Sequence, residues 1–285
     1  MGRVLVQTES RMSDKPEFEL TDQDFKFIQW FMHKHAGIYF SDRKRTLVYG
    51  RISRQLRRLR LKRFAEYRTL IEQNSEERIC FINCLTTNKT QFFREYHHFD
   101  FMEKVLLSEW AQQGKRNIRI WSAGCSTGEE PYSFIASLHT ANALEQFDSI
   151  EITATDLDTR VLEVAEQGIY DEEALKAIPI KYLKPCFVKG IGRHSGKIKV
   201  RLGLQNMIQF QRLNLLENWS FEQRFDVISC RNVMIYFDKK TQEELITRFH
   251  QQLSPNGVLF IGHSESMPAD FDGFHHLGHT IYVKK

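Results

Sequence analysis

Asn117 to Ser133, NIRIWSAGCSTGEEPYS, changes its local chemistry twice within a short span. A β-favouring run, Ile118 to Trp121, gives way to the small residues Ser122-Ala123-Gly124-Cys125-Ser126-Thr127-Gly128, and then to acids and an apolar helical pattern. The stretch predicts a strand, a tight loop and a helix start. Gly124 and Gly128 lack a Cβ, so the backbone can turn sharply there and let a ligand approach closely. Glu129, Glu130 and Pro131 suit a helix's first turn, where Pro costs no hydrogen bond and carboxylates meet the positive end of the dipole. The same acids make an awkward phosphate cradle, and the loop matches neither GxGxxG nor a P-loop with its Lys. A nucleoside carrying a positive or neutral tail fits this loop better than a polyphosphate.

Toward the C-terminus, strand and helix patterns alternate, which predicts an α/β fold with a mainly parallel sheet. The first helix is read from about Glu130 to Leu144. Ser149 to Thr155 reads as the next strand and ends in Asp156-Leu157-Asp158; Asp158 or Thr159 starts a helix over Arg160 to Gln167, closed by Gly168. Phe225 to Cys230 is a later strand leading into Arg231-Asn232-Val233-Met234-Ile235-Tyr236-Phe237. A helix over Lys240 to Leu253, a turn at Ser254 to Gly257, a strand at Val258 to Gly262 and a ribbon at Thr280 to Val283 complete the pattern. Residues 187–213 break the alternation. Gly190, Gly192 and Gly196 act as breakers, and the region predicts a small antiparallel insert on the edge of the main domain.

Toward the N-terminus, Thr21 and Asp22 can cap a helix carrying Phe25, Ile28, Phe31 and Met32, which ends near Gly37. A second helix follows Ser41-Asp42, with Leu47, Ile52, Leu56 and Leu59 as its expected buried stripe. Segments near Phe64 to Asn74 and Ser75 to Leu85 complete an all-helical unit. A further helix, roughly Tyr96 to Gln113, ends at Gly114. The polar stretch Thr86 to Thr90 is a linker or the lip of a site. The domain reading is a lead-in over 1–19, a helical domain over 20–88 and an α/β domain over 89–285. Residues 43 to 63 hold ten Lys or Arg and no acid, among them Arg51, Arg54 and Arg58. Phosphate binding would suit this charge. No helix-turn-helix spacing, aromatic RNA platform or zinc module accompanies it, so an acidic protein surface is at least as good a partner.

Composition sets the outer bounds. Of 285 residues, 27% are charged, and no apolar run approaches the length of a membrane span. Five scattered cysteines without CxxC suit free thiols in a reducing cytoplasm. The histidine doublets His97-His98 and His275-His276 lack HExxH or Cys/His ligand spacing, so no metal is expected.

Seven residues carry candidate chemistry. Asp156, at a strand tip, could accept a ribose diol or simply cap a turn. Asn214-Leu215 and Asn232-Val233 could clamp an adenine by its edge and face, although asparagine after a strand is also ordinary turn chemistry. Arg94 in an apolar segment wants a carboxylate or carbonyl, and the Tyr236 hydroxyl likewise needs a partner; a structural ion pair and a core tyrosine are the alternatives.

Taken together, LTTNKTQFFRE at 85–95, WSAGCSTGEEPYS at 121–133, ATDLD at 154–158, NLLE at 214–217 and SCRNVMIYFD at 229–238 resemble the chemotaxis receptor methyltransferases of the CheR family. The resemblance runs from about residue 20 to the C-terminus. It implies a class I S-adenosylmethionine-dependent methyltransferase (Rossmann-like) sheet with a small antiparallel β-subdomain insert and an all-helical N-terminal domain. It implies transfer of a methyl group from S-adenosyl-L-methionine to receptor glutamates, with S-adenosyl-L-homocysteine as product. By resemblance, Asn88, Thr90, Arg94, Glu129, Asp156, Asn214, Leu215, Asn232 and Val233 fall on cofactor-contact positions, and Arg94 and Tyr236 lie beside the transferable methyl. The Gly190, Gly192 and Gly196 insert resembles the form that docks a C-terminal receptor tail, with Lys199 where some relatives carry Arg. The expected partner is the acidic helical cytoplasmic domain of chemoreceptors, met by Arg51, Arg54 and Arg58. A cytoplasmic monomer without nucleic-acid binding or membrane insertion is expected. A methyltransferase acting on nucleic acid and a cofactor-binding scaffold are the rival readings.

Overall fold

The computed structural model describes residues 17–285, so most of the predicted lead-in lies outside the described residues. In the helical unit, α1 (Asp22–Ala36) opens on a capping box: the Thr21 side chain accepts the Asp24 N–H while Asp24 reaches back to the Thr21 backbone. It closes at Gly37, whose φ of 68° is the left-handed conformation of a helix stop. A short 3₁₀ turn, Asp42–Lys44, leads into α2 (Arg45–Leu59), followed by α3 (Phe64–Gln73) and α4 (Ser75–Leu85). The α2 stripe is Val48, Ile52 and Leu56. The expected stripe contained Leu47, but Leu47 is exposed and Leu59 only partly buried. Val48 keeps the helical i, i+4 spacing to Ile52 and Leu56, and Leu47 falls off that row.

The linking helix is one rod in three parts, α5 (His97–Phe101), a π turn (Met102–Leu106) and α6 (Leu107–Gln112). The α/β domain then runs β1 (Asn117–Ala123), α7 (Glu129–Thr140), α8 (Ala143–Gln146), β2 (Ser149–Asp156), α9 (Thr159–Gln167), β3 (Ile169–Asp171), α10 (Ile180–Cys186), β4 (Phe187–Lys189), β5 (Lys197–Val200), α11 (Leu202–Gln205), β6 (Ile208–Arg212), β7 (Phe225–Cys230), α12 (Lys239–Gln252), β8 (Leu253–Ile261), β9 (Phe274–Gly278) and β10 (Ile281–Lys284). Seven strands form the main sheet in the order β6-β2-β1-β7-β8-β10-β9, parallel except for β10. Every residue of β7 is buried, which explains its near-continuous apolar run. Alternate residues feed two cores: Ile120, Val227 and Phe260 face α7, whereas Trp121, Ile228 and Leu259 face α12.

The antiparallel insert exists, with boundaries other than 187–213. Its sheet is β3-β5-β4, so it starts at Ile169 and ends at Val200, and β6 belongs to the main sheet beside β2. The alternation of Ile208 and Phe210 with glutamines suits a half-buried edge strand as well as a ribbon, which is why the pattern misplaces it. The expected turn at Ser254 to Gly257 is a register shift within β8, and β9 was not anticipated.

Candidate active site

β1, β2 and β7 are parallel, and their carboxyl ends open on one crevice. At the end of β1, Gly124 has φ +84°, and a Cβ there would lie 2.4 Å from Val233 Cγ2. Only a bare Cα lets the two strand ends close together. At the end of β2, the Asp156 carboxylate accepts Ser126 N–H at 2.8 Å and Asp158 N–H at 2.9 Å. Burial pushes its pKa up despite those bonds. After β7, Asn232 takes the left-handed φ of 60°, and Glu265 holds the turn by accepting the N–H groups of Asn232, Val233 and Met234 at 2.8–3.0 Å. Asn232 Oδ1 is buried and without a hydrogen-bond partner among the described residues.

The helical unit roofs this crevice and is fastened on two sides. At one side, Tyr39 N–H donates to the Tyr236 carbonyl at 2.8 Å, Asn214 Nδ2 donates to the His35 carbonyl at 2.9 Å, and Gly37 abuts Leu216 and Phe237. At the other, fully buried Asp158 caps α9 and accepts from Thr86 Oγ1 at 2.9 Å, Asn88 Nδ2 at 2.8 Å and Arg160 at 2.8 Å. Burial would raise the Asp158 pKa, but the bonds from Arg160 and Thr86 outweigh it and hold the carboxyl low. The result is a cleft enclosing about 1180 Å³ of empty space, part of it open to solvent.

Asn88, Thr90, Arg94, Asp156, Asn214, Leu215, Asn232, Val233 and Tyr236 all line this cleft, although they come from segments spread over the whole α/β domain and its linker. Arg94 donates to the Lys89 carbonyl at 3.2 Å. Glu129 is the exception. Its carboxylate turns back on Thr127 Oγ1 at 2.6 Å, burial raises its pKa, and Glu130 stands in the cleft wall instead. Successive helical residues point about 100° apart, so the two acids leave the helix in different directions. Gly190, Gly192 and Gly196 lie on the insert hairpin and not in the cleft wall.

Three residues of the site escaped the sequence reading. Glu130 accepts Ser122 Oγ at 2.7 Å and Arg231 Nε at 2.6 Å. Arg231, also buried, donates to the Arg94 carbonyl and lies 3.3 Å from His98 Nδ1. Glu265 is the third. An arginine immediately after a largely apolar strand was the signal for Arg231; Glu265 in a polar HSES stretch gave none. Of the three α2 arginines expected to meet a partner, Arg51 donates to the carbonyls of Leu85 and Thr86 at 2.6 and 2.8 Å and so braces the cleft rim. Arg58 pairs with Glu77, and among the described residues Arg54 reaches only the Gly50 carbonyl of its own helix. Among the described residues, no cluster able to hold a metal ion and no helix long and apolar enough to cross a membrane is present.

Sheet order, strand-end crevice and an acid at the tip of β2 define a class I S-adenosylmethionine-dependent methyltransferase. Two family models divide the chain between them: the CheR methyltransferase all-alpha domain matches residues 23–86 and the CheR methyltransferase SAM binding domain matches 88–283. The chain therefore belongs to the CheR methyltransferase family. Chemotaxis protein methyltransferase 2 of Pseudomonas aeruginosa is 43% identical over 97% of this chain and 98% of its own length. The chemotaxis protein methyltransferase of Salmonella typhimurium is 43% identical over 98% of this chain and 94% of its own, and that of Escherichia coli K12 is 42% identical over 98% and 95%.

The cleft fits a methyl-donor nucleoside. Asp156 offers a carboxylate, Asn232 Oδ1 an unpaired buried acceptor, Leu215 and Val233 apolar faces, and Gly124 a close backbone approach.

Proposed function

We propose that this protein transfers the methyl group of S-adenosylmethionine to glutamate side-chain carboxylates of chemotaxis receptors, giving glutamyl methyl esters and S-adenosylhomocysteine for sensory adaptation. The observation that carries this reading is the meeting of Asp156, Asn232 and Val233 with Arg94 and Tyr236 in one cleft. The relatives' names, chemotaxis protein methyltransferase, support the choice of pathway.

When bound, the cofactor supplies an electrophilic sulfonium methyl. Asp156 would hold its ribose, and Leu215, Asn214, Asn232 and Val233 its base, with Asn88, Thr90 and Arg94 along the linker side. Glu129 supports the loop through Thr127, and Glu130 presents the acid that faces the cleft. A receptor glutamate, with an ordinary pKa of about 4.3, is ionised at pH 7, so the chain need supply no general base. Its contribution is alignment and exclusion of water, both served by the helical roof. Arg94 and Tyr236 position the carboxylate. A strong ion pair from Arg94 would stabilise the charged ground state more than a transition state in which charge is being neutralised.

Arg54 and its exposed basic neighbours on α2 would meet the acidic receptor helix, while Arg51 and Arg58 shape that face from within. The edge strand β4, next to the Gly190, Gly192 and Gly196 turn, would accept a receptor tail by strand addition. Incubation with methyl-labelled cofactor and receptor-bearing membranes should give receptor label released as volatile methanol by mild alkali. Alkali-stable label in nucleic acid, or no transferred label, would overturn the proposal.

A further inference from the structure

Phe92 and Phe93 immediately precede Arg94, and both rings are buried. Three of the rings that pack on them come from the insert and the helix that feeds it, while Phe99 of α5 also meets Phe93 edge-on at 5.2 Å. Phe92 meets Tyr170 of β3 edge-on at 4.9 Å between centroids and Phe187 of β4 at 5.3 Å. Phe93 stacks on Tyr182 of α10 at 4.2 Å with the planes 13° apart. Tyr182 is itself fixed, because its hydroxyl donates to Glu103 at 2.6 Å and Glu103 also takes Lys181 Nζ at 2.6 Å. Glu103 lies in the π turn of the linking helix.

The backbone held by this arrangement is strained. Phe93 has φ 52° and Glu95 φ 54°, so the residues on both sides of Arg94 are non-glycine residues in the left-handed region. Phe93 N–H is taken by Ser133 Oγ at 2.9 Å, and the Arg94 carbonyl by Arg231. Such backbone persists only where its surroundings over-determine it. We propose that Tyr170, Tyr182 and Phe187 are positioning residues: their rings clasp Phe92 and Phe93, hold the strained segment, and thereby set Arg94 in the cleft wall. The insert is then part of the machinery that shapes the cleft, in addition to any docking surface it offers. The inference rests on the proposed function only in giving Arg94 a role toward cofactor and substrate.

A residue that merely stabilises the fold and one that acts through Arg94 are separated by a double-mutant cycle of Tyr182→Leu with Arg94→Ala, read on S-adenosylhomocysteine affinity by calorimetry and on receptor methyl-ester formation. Misplacement of Arg94 should cost Tyr182→Leu about tenfold to a hundredfold in methyl transfer. The double variant should be no worse than Arg94→Ala alone in both readouts. Tyr182→Phe, which keeps the stacked ring and loses only the hydroxyl's bonds to Glu103 and Tyr96, should stay within about threefold of the wild type. Additive losses, or a folded Tyr182→Leu protein with unchanged affinity and turnover, would overturn the inference. Should Tyr182→Leu fail to fold, Phe187→Leu serves in the same cycle with the same outcomes. A wild-type protein that binds S-adenosylhomocysteine but forms no receptor ester would sink the functional proposal alone, and the affinity cycle would still decide the positioning role.

Discussion

Arg231 ties the floor of the cleft to its wall. With Glu130 at 2.6 Å and the carbonyl of Arg94 beyond it, this guanidinium sits almost wholly away from water. Replacing it leaves Glu130 as a buried charge without its counter-ion, so Arg231→Met should lower unfolding free energy by about 3–5 kcal/mol in urea titrations. Glu130→Gln in the same chain should return at least about 1 kcal/mol of that loss, because the stranded charge is then gone. Gly124 makes a sharper test of the cleft itself. A methyl group there would press on Val233 at 2.4 Å and φ +84° would be strained, so Gly124→Ala should cost about 1–3 kcal/mol of stability. Calorimetry should show S-adenosylhomocysteine affinity falling with it, by about tenfold; undiminished affinity would mean that the β1 and β7 ends do not share the ligand. At this scale a residue whose position stands out in the sequence, such as Asp156 at a strand tip, is one the structure brings to the cleft wall. The sequence reading missed Glu130, Arg231 and Glu265 because their partners lie far along the chain, Glu130 and Arg231 being 101 residues apart.

The fastening of α4 to α9 is the element-scale counterpart. Asp158 caps α9 and also receives Thr86, Asn88 and Arg160, so one carboxylate joins the end of the helical unit to the start of a helix on the sheet. Asp158→Ala removes an N-cap worth about 1 kcal/mol and leaves buried donors unpaired at a further ~1–3 kcal/mol. Hydrogen exchange should then accelerate at the C-terminal turn of α4 and in residues 86–90 more than in β1. Uniform acceleration across both domains would deny the clamp. Elements announced by their own sequence were legible: Thr21 with Asp22 and Gly37 bounded α1, and the Gly124 loop placed β1 and α7. β3 was not, since three residues directly after the Gly168 helix stop carry no period, and its pairing with Lys197–Lys199 is a long-range choice. On α2, the excess of Lys and Arg hid which apolar row was buried, because Leu47 and Val48 are equally apolar and only packing in the helical unit's core separates them.

For the whole molecule, charge enters both through pH and through docking. His98 is buried beside Arg231, and burial first, then that positive charge, pushes its pKa down to about 2. Its folded pKa lies below the unfolded value of about 6.5, so the unfolded chain takes the proton first as pH falls. The stability His98 contributes is therefore complete above about pH 6.5 and is lost on acidification, by ~2 kcal/mol between pH 7 and 5. His35 and His250 are shifted in the same direction; the contribution of His98 is the part of the slope that disappears in His98→Gln, measured by urea titration at each pH. Docking depends on what remains of the α2 field after internal pairing. Arg45, Arg57, Arg58 and Arg63 are matched by Asp22, Glu17, Glu77 and Glu66. Among the described residues, the outward charge is left to Arg43, Lys44, Arg54, Arg60 and Lys62. Charge reversal should therefore give two different outcomes on one helix. Arg54→Glu should slow receptor methylation about tenfold at low ionic strength with little change in melting temperature, and the deficit should shrink near 0.5 M salt as screening shortens to about 4–5 Å. Arg58→Glu would face Glu77 and should instead lower the melting temperature. If Arg54→Glu methylates receptor at the wild-type rate in low salt, the acidic partner must approach the cleft from a face other than α2.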